Sequence, residues 1–460
     1  MIEFFTQKIK EAGQQQAIAT TEGTWTYTEL LESNRQIQSW LTEQNIPPGK
    51  IVSFDGDYSL EAISLFLALA ANQNIIVPLS KDSKAHFDEF REIAGTEYDI
   101  SLSTGIPLLR VTGRDTHHRI YDELHKRQAP GLVLFSSGST GKSKGIVQDL
   151  SFLMQKFQPP RKPLRMLIFL QLDHIGGVNS LLYSLANSGT IIVPENRCPA
   201  QVCKAIEIHK AEVLPTSPTF LNLMLLSRAY EDYDLSSLHL VTYGTEPMPQ
   251  STLSRFSALL PHVTLQQTYG LSEVGILRSK SRGSDSLWVK IGGDEFQTKI
   301  VNNRLWIRSK SAMLGYLNAP NPFDEEGFLD TGDLVEQDGE WVKFLGRESE
   351  IINVGGFKVY PAEVESKLLE LDNVEDVVAF GEDHAFMGKI VAVKIKLKSP
   401  EPPKAFKARM LEFCKTHLQK YKVPGKIYLS AETTYNERYK RMRRLQKDLE
   451  EKTQGNDTEV

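Results

Sequence analysis

Cysteine is scarce in this chain: Cys198, Cys203 and Cys414 are all that occur among 460 residues. An odd number without C-x-x-C spacing supports neither a disulfide framework nor a cysteine-based zinc site, so buried thiols are expected. Long hydrophobic runs are absent too, since no apolar stretch reaches the ~18 residues of a membrane span. The opening residues, Met1-Ile2-Glu3-Phe4-Phe5-Thr6-Gln7-Lys8, lack the apolar core and small-residue cleavage site of a secretory leader. The expected compartment is the cytoplasm. Excess basic charge is also missing: Lys+Arg 53 against Asp+Glu 58 gives a net charge of −5, which leaves no general attraction to nucleic acid or an acidic membrane. Recognition therefore falls to local sites.

With 40% apolar and 24% charged residues, the chain has the composition of a globular protein. Its length implies more than one domain. Thr26-Tyr27-Thr28-Glu29 forms a capping-box pattern ahead of Leu30, Leu31, Ile37, Trp40 and Leu41 at helical spacing. Strands are expected over 51–54 and 75–79 around a helix over 60–71, a parallel βαβ unit. The alternation resumes with strands over 166–170, 190–193, 212–214, 238–242 and 263–267, and helices over 178–186, 202–208, 220–226 and 252–259. This is a doubly wound α/β pattern, whose ligands sit outside the carboxyl ends of the strands. Beyond Trp288 short alternating strands (298–301, 305–307, 341–344) with turns at Asn302-Asn303 and Asp338-Gly339 predict a small β subdomain. A helix over 362–371, strands over 374–380 and 390–397 and a helix over 404–418 make a separate α+β domain, followed by a polar tail over 447–460 expected to fray. His117, His118 and His125 lie among Arg114, Arg119, Lys126 and Arg127, which reads as a charged surface connection before it reads as a metal site.

The stretch Ser136-Ser137-Gly138-Ser139-Thr140-Gly141-Lys142-Ser143-Lys144-Gly145 follows the apolar run 132–135. Glycines let backbone N–H groups face an anion, hydroxyls donate, and lysine adds a full charge, as binding a polyphosphate requires. Gly141-Lys142-Ser143 satisfies only the second half of the G-x-x-x-x-G-K-[ST] loop, whose first glycine would fall at Ser136. A strand before it and lysines after it argue against a Gly/Ser linker.

This loop, Tyr269-Gly270-Leu271-Ser272-Glu273, Thr331-Gly332-Asp333, Gly346-Arg347 and the run from Ile352 through Gly355-Gly356-Phe357 to Glu365 occur in one order. The ordered set resembles the adenylate-forming superfamily of acyl- and aryl-CoA synthetases, peptide-synthetase adenylation domains and luciferases, from about residue 26 to 445, and is closest to the acyl-CoA ligases. The resemblance implies an α/β fold with a large N-terminal domain of doubly wound sheets plus the β subdomain (1–346). A small mobile α+β C-terminal domain (347–460) would turn about a hinge near Ser349. It also implies an ATP-dependent carboxylate ligase with ATP, Mg²⁺ and CoA as cofactors. The carboxylate would attack the α-phosphate of ATP, release pyrophosphate and leave an acyl-AMP for CoA's thiol.

Carried over residue by residue, Ser136, Ser137, Gly138, Ser139, Thr140, Gly141 and Lys144 would hold phosphates. Glu273 with Thr140 would hold Mg²⁺. Tyr269 would stack on adenine beside Gly244, Thr245, Glu246, Thr268, Gly270 and Ser272, while Asp333 and Arg347 would grip the ribose. His174 matches the aromatic gate, with Gly176-Gly177 where substrate would approach the backbone. Lys440 is the candidate adenylation lysine, although Tyr439 stands where the family has glycine. Gly355, Gly356 and Phe357 would face the pantetheine arm.

Ile175 occupies the place where peptide synthetases carry an aspartate for the substrate ammonium, which disfavours an amino acid. The acid pocket would comprise His174, Val178, Phe220, Gly244, Gly270 and Ile276. Those residues are mostly apolar or small, and point to a fatty or aryl acid. Two alternatives stand beside CoA ligation: loading of an acyl carrier protein, whose phosphopantetheine arm is chemically the same, and nucleotide binding without ligase activity.

Overall fold

The computed structural model describes residues 1–102, 107–137, 142–436, 439–442 and 458–459. Gly138, Ser139, Thr140 and Gly141 of the phosphate loop lie outside them, as do Arg438, Arg443 and most of the tail. The part of that tail that is described, Thr458–Glu459, pairs antiparallel with Tyr428 and Leu429 rather than fraying.

Two seven-stranded sheets and the helices between them form the large domain. In the first sheet Thr264–Gln267, Leu240–Tyr243, Val213–Thr216, Arg165–Leu167, Thr190–Ile192 and Gln16–Ala19 run parallel, with Thr24–Thr26 antiparallel at the edge. The second sheet places Gly131–Ser137, Ile75–Leu79, Ile51–Asp55 and Tyr98–Ser101 in parallel. Strand Ser143–Asp149 departs from the expected winding, because it returns antiparallel to Gly131–Ser137 with Ser136 opposite Lys144. The strands on either side of the phosphate loop therefore pair antiparallel, whereas the short-motif nucleotide loops lead from a strand into a helix.

Helices Tyr27–Glu43, Leu60–Ala71 and Ile175–Ala186 contribute to one apolar core shared with both sheets. The first is fixed at its start by the capping box read from sequence: Thr26 Oγ1 accepts from Glu29 N at 3.2 Å, and Glu29 accepts from Thr26 N at 2.6 Å. Helix Leu60–Ala71 is buried at nearly every position, so its uniform hydrophobicity reflects enclosure on all sides. No helix among the described residues is long and apolar enough to cross a membrane.

A six-stranded antiparallel sheet, including Leu329–Asp338 and Trp341–Arg347, forms the β subdomain. The C-terminal domain packs its own core from strands Val374–His384 and Gly388–Leu397 and helices Pro361–Leu368 and Pro403–His417. It is docked on the large domain: Ser251 Oγ donates to Ser366 O at 3.1 Å and Asn222 Nδ2 donates to Glu375 O at 3.3 Å. Cys203 and Cys414 are buried as expected, but Cys198 is exposed, because it caps the start of helix Pro199–His209 at the surface. Among the histidines of the charged connection, His118 caps helix Arg119–Arg127 and His125 Nε2 lies 2.9 Å from Gly49 O.

Candidate active site

Strands Leu240–Tyr243 and Thr264–Gln267 end side by side, so their following turns, Gly244-Thr245-Glu246 and Thr268-Tyr269-Gly270, share one edge of the sheet. The phenol of Tyr269 reaches the β subdomain and donates to Asp333 Oδ2 at 2.5 Å, while its ring stacks on Phe344 with centroids 4.5 Å apart. Asp333 is paired across the sheet with Arg347, and their side chains meet at 3.3 Å. Burial pushes the Asp333 carboxyl above its ordinary range, opposed chiefly by Arg347 and by the Tyr269 hydrogen bond. Burial and then the charge of Asp333 push the Tyr269 phenol well up, which keeps it a donor.

Lys440 arrives at this pair from the far end of the chain. Enclosure by the cleft and then the charge of Arg347 lower its pKa, while Glu246, Glu350 and Asp333 oppose that shift. The residue keeps exposed surface. Its neighbours fix it in place. Tyr439 O accepts from Ser217 Oγ at 2.8 Å, and Arg441 N donates to Glu246 Oε2 at 3.1 Å.

Tyr439 stands where the resemblance expects glycine. Its φ of 53° lies in the left-handed region that glycine enters freely and tyrosine does not. The ring has compensating contacts with Phe169 at 5.3 Å, Phe220 at 5.5 Å and Tyr435 at 5.6 Å, with the Arg197 guanidinium 5.6 Å from its centroid.

At the candidate phosphate site, Glu273 Oε1 accepts from Tyr316 Oη at 2.8 Å, and the Lys144 ammonium lies 5.0 Å from the Tyr316 ring centroid. Gln148 Nε2 donates to Ser272 O at 2.5 Å, tying the signature turn to the returning strand of the hairpin. Asn318 holds that strand as well, donating to Ser143 O at 2.8 Å and accepting from Gly145 N at 3.1 Å. One oriented carboxylate suits Mg²⁺, which is ordinarily bound through one or two carboxylates, waters and substrate phosphates.

His174 caps helix Ile175–Ala186, its Nδ1 accepting from Gly176 N at 2.9 Å, so the ring is oriented by its own helix. Asp173 before it is buried and accepts from Ser80 Oγ at 2.7 Å and Ser83 Oγ at 2.6 Å, which locks the turn. Gly177 has a packing reason rather than the expected substrate approach: a Cβ there would lie 1.9 Å from Gln171 O.

Val178 and Ile276 line a small cavity with Leu153, Phe157, Ile175 and Leu182. Gly270 abuts Ile276 directly, and Gly244 abuts Thr268. Phe220 does not line that cavity. It is fully buried against Phe169 and Tyr439, because its helix Pro218–Ser227 presents it to the docked C-terminal segment. Glu246 also differs from the expected adenine wall, since Oε1 accepts from Thr219 N at 2.8 Å and Oε2 takes Arg441 N.

Gly355 and Gly356 (φ 55° and 91°) form the two-residue turn of hairpin Ile352–Val354/Phe357–Val359, a mirror-image turn that only glycine-like backbones enter readily. Phe357 stacks on Tyr421 at 4.6 Å, and Gly355 N donates to Met387 O at 3.0 Å. The hairpin thus rests on its own domain while Lys440 occupies the cleft. Sequence reasoning missed Phe344, Tyr316 and Lys156, which carry no motif of their own and meet the candidate residues only through strand pairing and packing.

Residues 114–317 match the AMP-binding enzyme family, and residues 363–434 match the AMP-binding enzyme C-terminal domain. Acyl-CoA synthetase 7 of Caenorhabditis elegans is 32% identical over 55% of this chain and 53% of that protein. A long-chain-fatty-acid–CoA ligase of Escherichia coli O157:H7 is 26% identical over 64% and 57% respectively. The chain thus spans little more than half the length of these curated relatives. The fold superposes on an anthranilate CoA ligase in complex with anthranoyl-AMP (TM-score 0.82, 18% identity, 98% of this chain and 96% of that one). It also superposes on the o-succinylbenzoate CoA synthetase of Bacillus subtilis with its acyl-adenylate (TM-score 0.77, 20% identity, 97% and 98%). With the two family models matched in order, the chain belongs to the family of AMP-binding enzymes.

Proposed function

We propose that the protein is an acid–CoA ligase that activates a carboxylic acid as its acyl-AMP, releases pyrophosphate, and transfers the acyl group to CoA. The observation that carries this reading is the meeting of Lys440, from the C-terminal domain, with the Asp333–Arg347 pair beside Tyr269. A cation delivered by the C-terminal domain to the Asp333–Arg347 pair suits a reaction in which two anions must be joined.

In this reading Tyr269 stacks on adenine, and Asp333 accepts from the ribose hydroxyls with Arg347 holding it charged. Lys144 and the hydroxyls of the stretch Ser136 to Thr140 attract the β- and γ-phosphates. Mg²⁺ would sit at Glu273 and the substrate phosphates, with Thr140 as a further ligand, and would neutralise phosphate charge when bound. His174, oriented through its capped Nδ1, presents its other face at the entrance to the acid pocket. After pyrophosphate leaves, the domain beyond Arg347 turns about Ser349, an exposed residue of the turn Glu348–Glu350, and brings Gly355, Gly356 and Phe357 to the thioester step. Relatives named as CoA ligases favour CoA over a carrier protein as acceptor.

Pyrophosphate release that requires an acid, followed by CoA-dependent thioester formation, is the direct test. Release without any acid dependence would leave only a nucleotide-binding protein. Asp333→Asn should weaken AMP and ATP binding together by about 1–3 kcal/mol, the usual loss for a charge-assisted hydrogen bond. In the unaltered protein AMP affinity should fall on acidification at a pH above the 3.8 of an ordinary aspartate, because burial raises the Asp333 pKa and its protonated form accepts less well. Calorimetry across pH checks both. Unchanged AMP affinity in Asp333→Asn would remove this residue from the site.

A further inference from the structure

Lys156 is unused by the reaction as described, yet it lies in the acid pocket. It follows helix Leu150–Gln155, and its half-buried side chain lines the same cavity as Val178, Asn179 and Ile276. The ammonium donates to Asn179 Oδ1 and, at 3.2 Å, to Ile276 O, and it lies 5.0 Å from the Phe157 ring centroid. Those two acceptors use two of its three N–H donors. The remaining walls, Leu153, Phe157, Ile175 and Leu182, are apolar. Removal from water pulls the ammonium down to about 7; Glu295 favours its charge and Arg161 and Arg278 oppose it.

A cation set among apolar walls is costly unless something it binds restores the lost hydration. Asn179 stands five residues beyond His174 on one helix, about 7.5 Å along its axis. An acid whose reacting carboxyl lies at the gate would therefore place its far end at Lys156. The cavity holds about 10 Å³, room for about one water, so only a small terminal group reaches Lys156 and a long alkyl chain does not.

We propose that the acid carries a second carboxylate at its far end, and that Lys156, held by Asn179 and Ile276 O, recognises it. This rests on the ligase reading and adds a distal anion to the fatty or aryl acid suggested by the apolar residues alone. Specificity would then come from a buried donor that a hydrocarbon leaves unpaired, a stronger discriminator than pocket size.

The test uses pairs in which a distal carboxylate is exchanged for an isopropyl group of the same shape: glutarate against 5-methylhexanoate, and 4-carboxybenzoate against 4-isopropylbenzoate. These are run within a wider panel of alkyl, aryl and dicarboxylic acids, with pyrophosphate release as readout. The unaltered protein should favour the diacid of at least one pair by tenfold or more in kcat/KM. Lys156→Met, of similar length and apolar, should reverse that preference while keeping AMP affinity, which also shows that the variant is folded. If the variant does not fold, the preference of the unaltered protein decides alone. Release confined to acids without a distal carboxylate, or a diacid preference unchanged in Lys156→Met, overturns the proposal and leaves the ligase reading standing. No release with any acid of the panel fells the ligase reading itself.

Discussion

Lys440→Ala is expected to lower acid-dependent ATP–pyrophosphate exchange by ~10² or more, the usual consequence of losing one pre-organised electrostatic donor, while supplied acyl-AMP is still converted to acyl-CoA. The split follows from geometry. Lys440 sits at the Asp333–Arg347 pair only because the C-terminal segment is docked through Tyr439 and Arg441, whereas the Gly355-Gly356 turn rests on Met387 of its own domain. Lysine charge is needed while negative charge builds between carboxylate and α-phosphate; the thiol step needs an open channel instead. Equal loss of both half-reactions would contradict the two-arrangement account. Intact exchange in Lys440→Ala, with loss in Arg438→Ala or Arg443→Ala, would show that a neighbouring cation does this work.

Arg441→Leu should destabilise the protein by about 3–5 kcal/mol, the range for breaking a buried ion pair by removing one partner. Its guanidinium lies 3.0 Å from Glu365 and 3.5 Å from Asp376, and all three residues are buried. Leucine would leave two carboxylates enclosed without a cation. The pH dependence has a definite sign. Burial already raises the Asp376 pKa and Arg441 opposes that shift, so in the variant it rises further. A carboxyl whose folded pKa exceeds its unfolded value stabilises the fold at low pH and loses that contribution as pH rises. The deficit of Arg441→Leu should therefore shrink as pH falls toward the 3.8 of an ordinary aspartate. Denaturant titrations at several pH values check this, and a deficit below about 1 kcal/mol would mean that the cluster has little weight. Exchange should fall in the same variant, because the lost ion pairs hold in place the backbone N–H of residue 441 that binds Glu246 beside Lys440.

Most of the framework was legible from local pattern. Helix Leu60–Ala71 and strand Ile75–Leu79 fall where the apolar periodicity and turn residues put them, and the strand pairs parallel with Ile51–Asp55 as a βαβ unit requires. Helix starts were read late at Pro199, Pro218 and Pro361, since proline in the first turn looks like a breaker until the cap before it is recognised. Helix Ile2–Ala12 and the edge hairpin Gln16–Ala19/Thr24–Thr26 went unread, because such short polar segments are stabilised by what they pack on. The antiparallel return after the phosphate loop is set by pairing with Gly131–Ser137 and Gly315–Tyr316, which no local signal encodes.

At the site, the ordered motifs located Tyr269, Asp333, Arg347 and Lys440, and the structure brings them together. Lys156 escaped notice because Gln155-Lys156-Phe157 looks like a surface turn; only the approach of Ile276 and Asn179 makes it a pocket residue. Phe220 was assigned to the acid on resemblance and its apolar side chain, yet the ring is taken by Phe169 and Tyr439. A tyrosine at a left-handed position read as a damaged motif, whereas three aromatic rings and Arg197 hold it there.

The central claim is that a carboxylate oxygen attacks the α-phosphate of ATP. An acid that supports pyrophosphate release, labelled with heavy oxygen in its reacting carboxyl, should be turned over with ATP and CoA and the nucleotide product examined by mass spectrometry. Acyl-AMP chemistry transfers one labelled oxygen to AMP for each acyl-CoA formed. Unlabelled AMP, or label appearing in inorganic phosphate together with ADP, would contradict it.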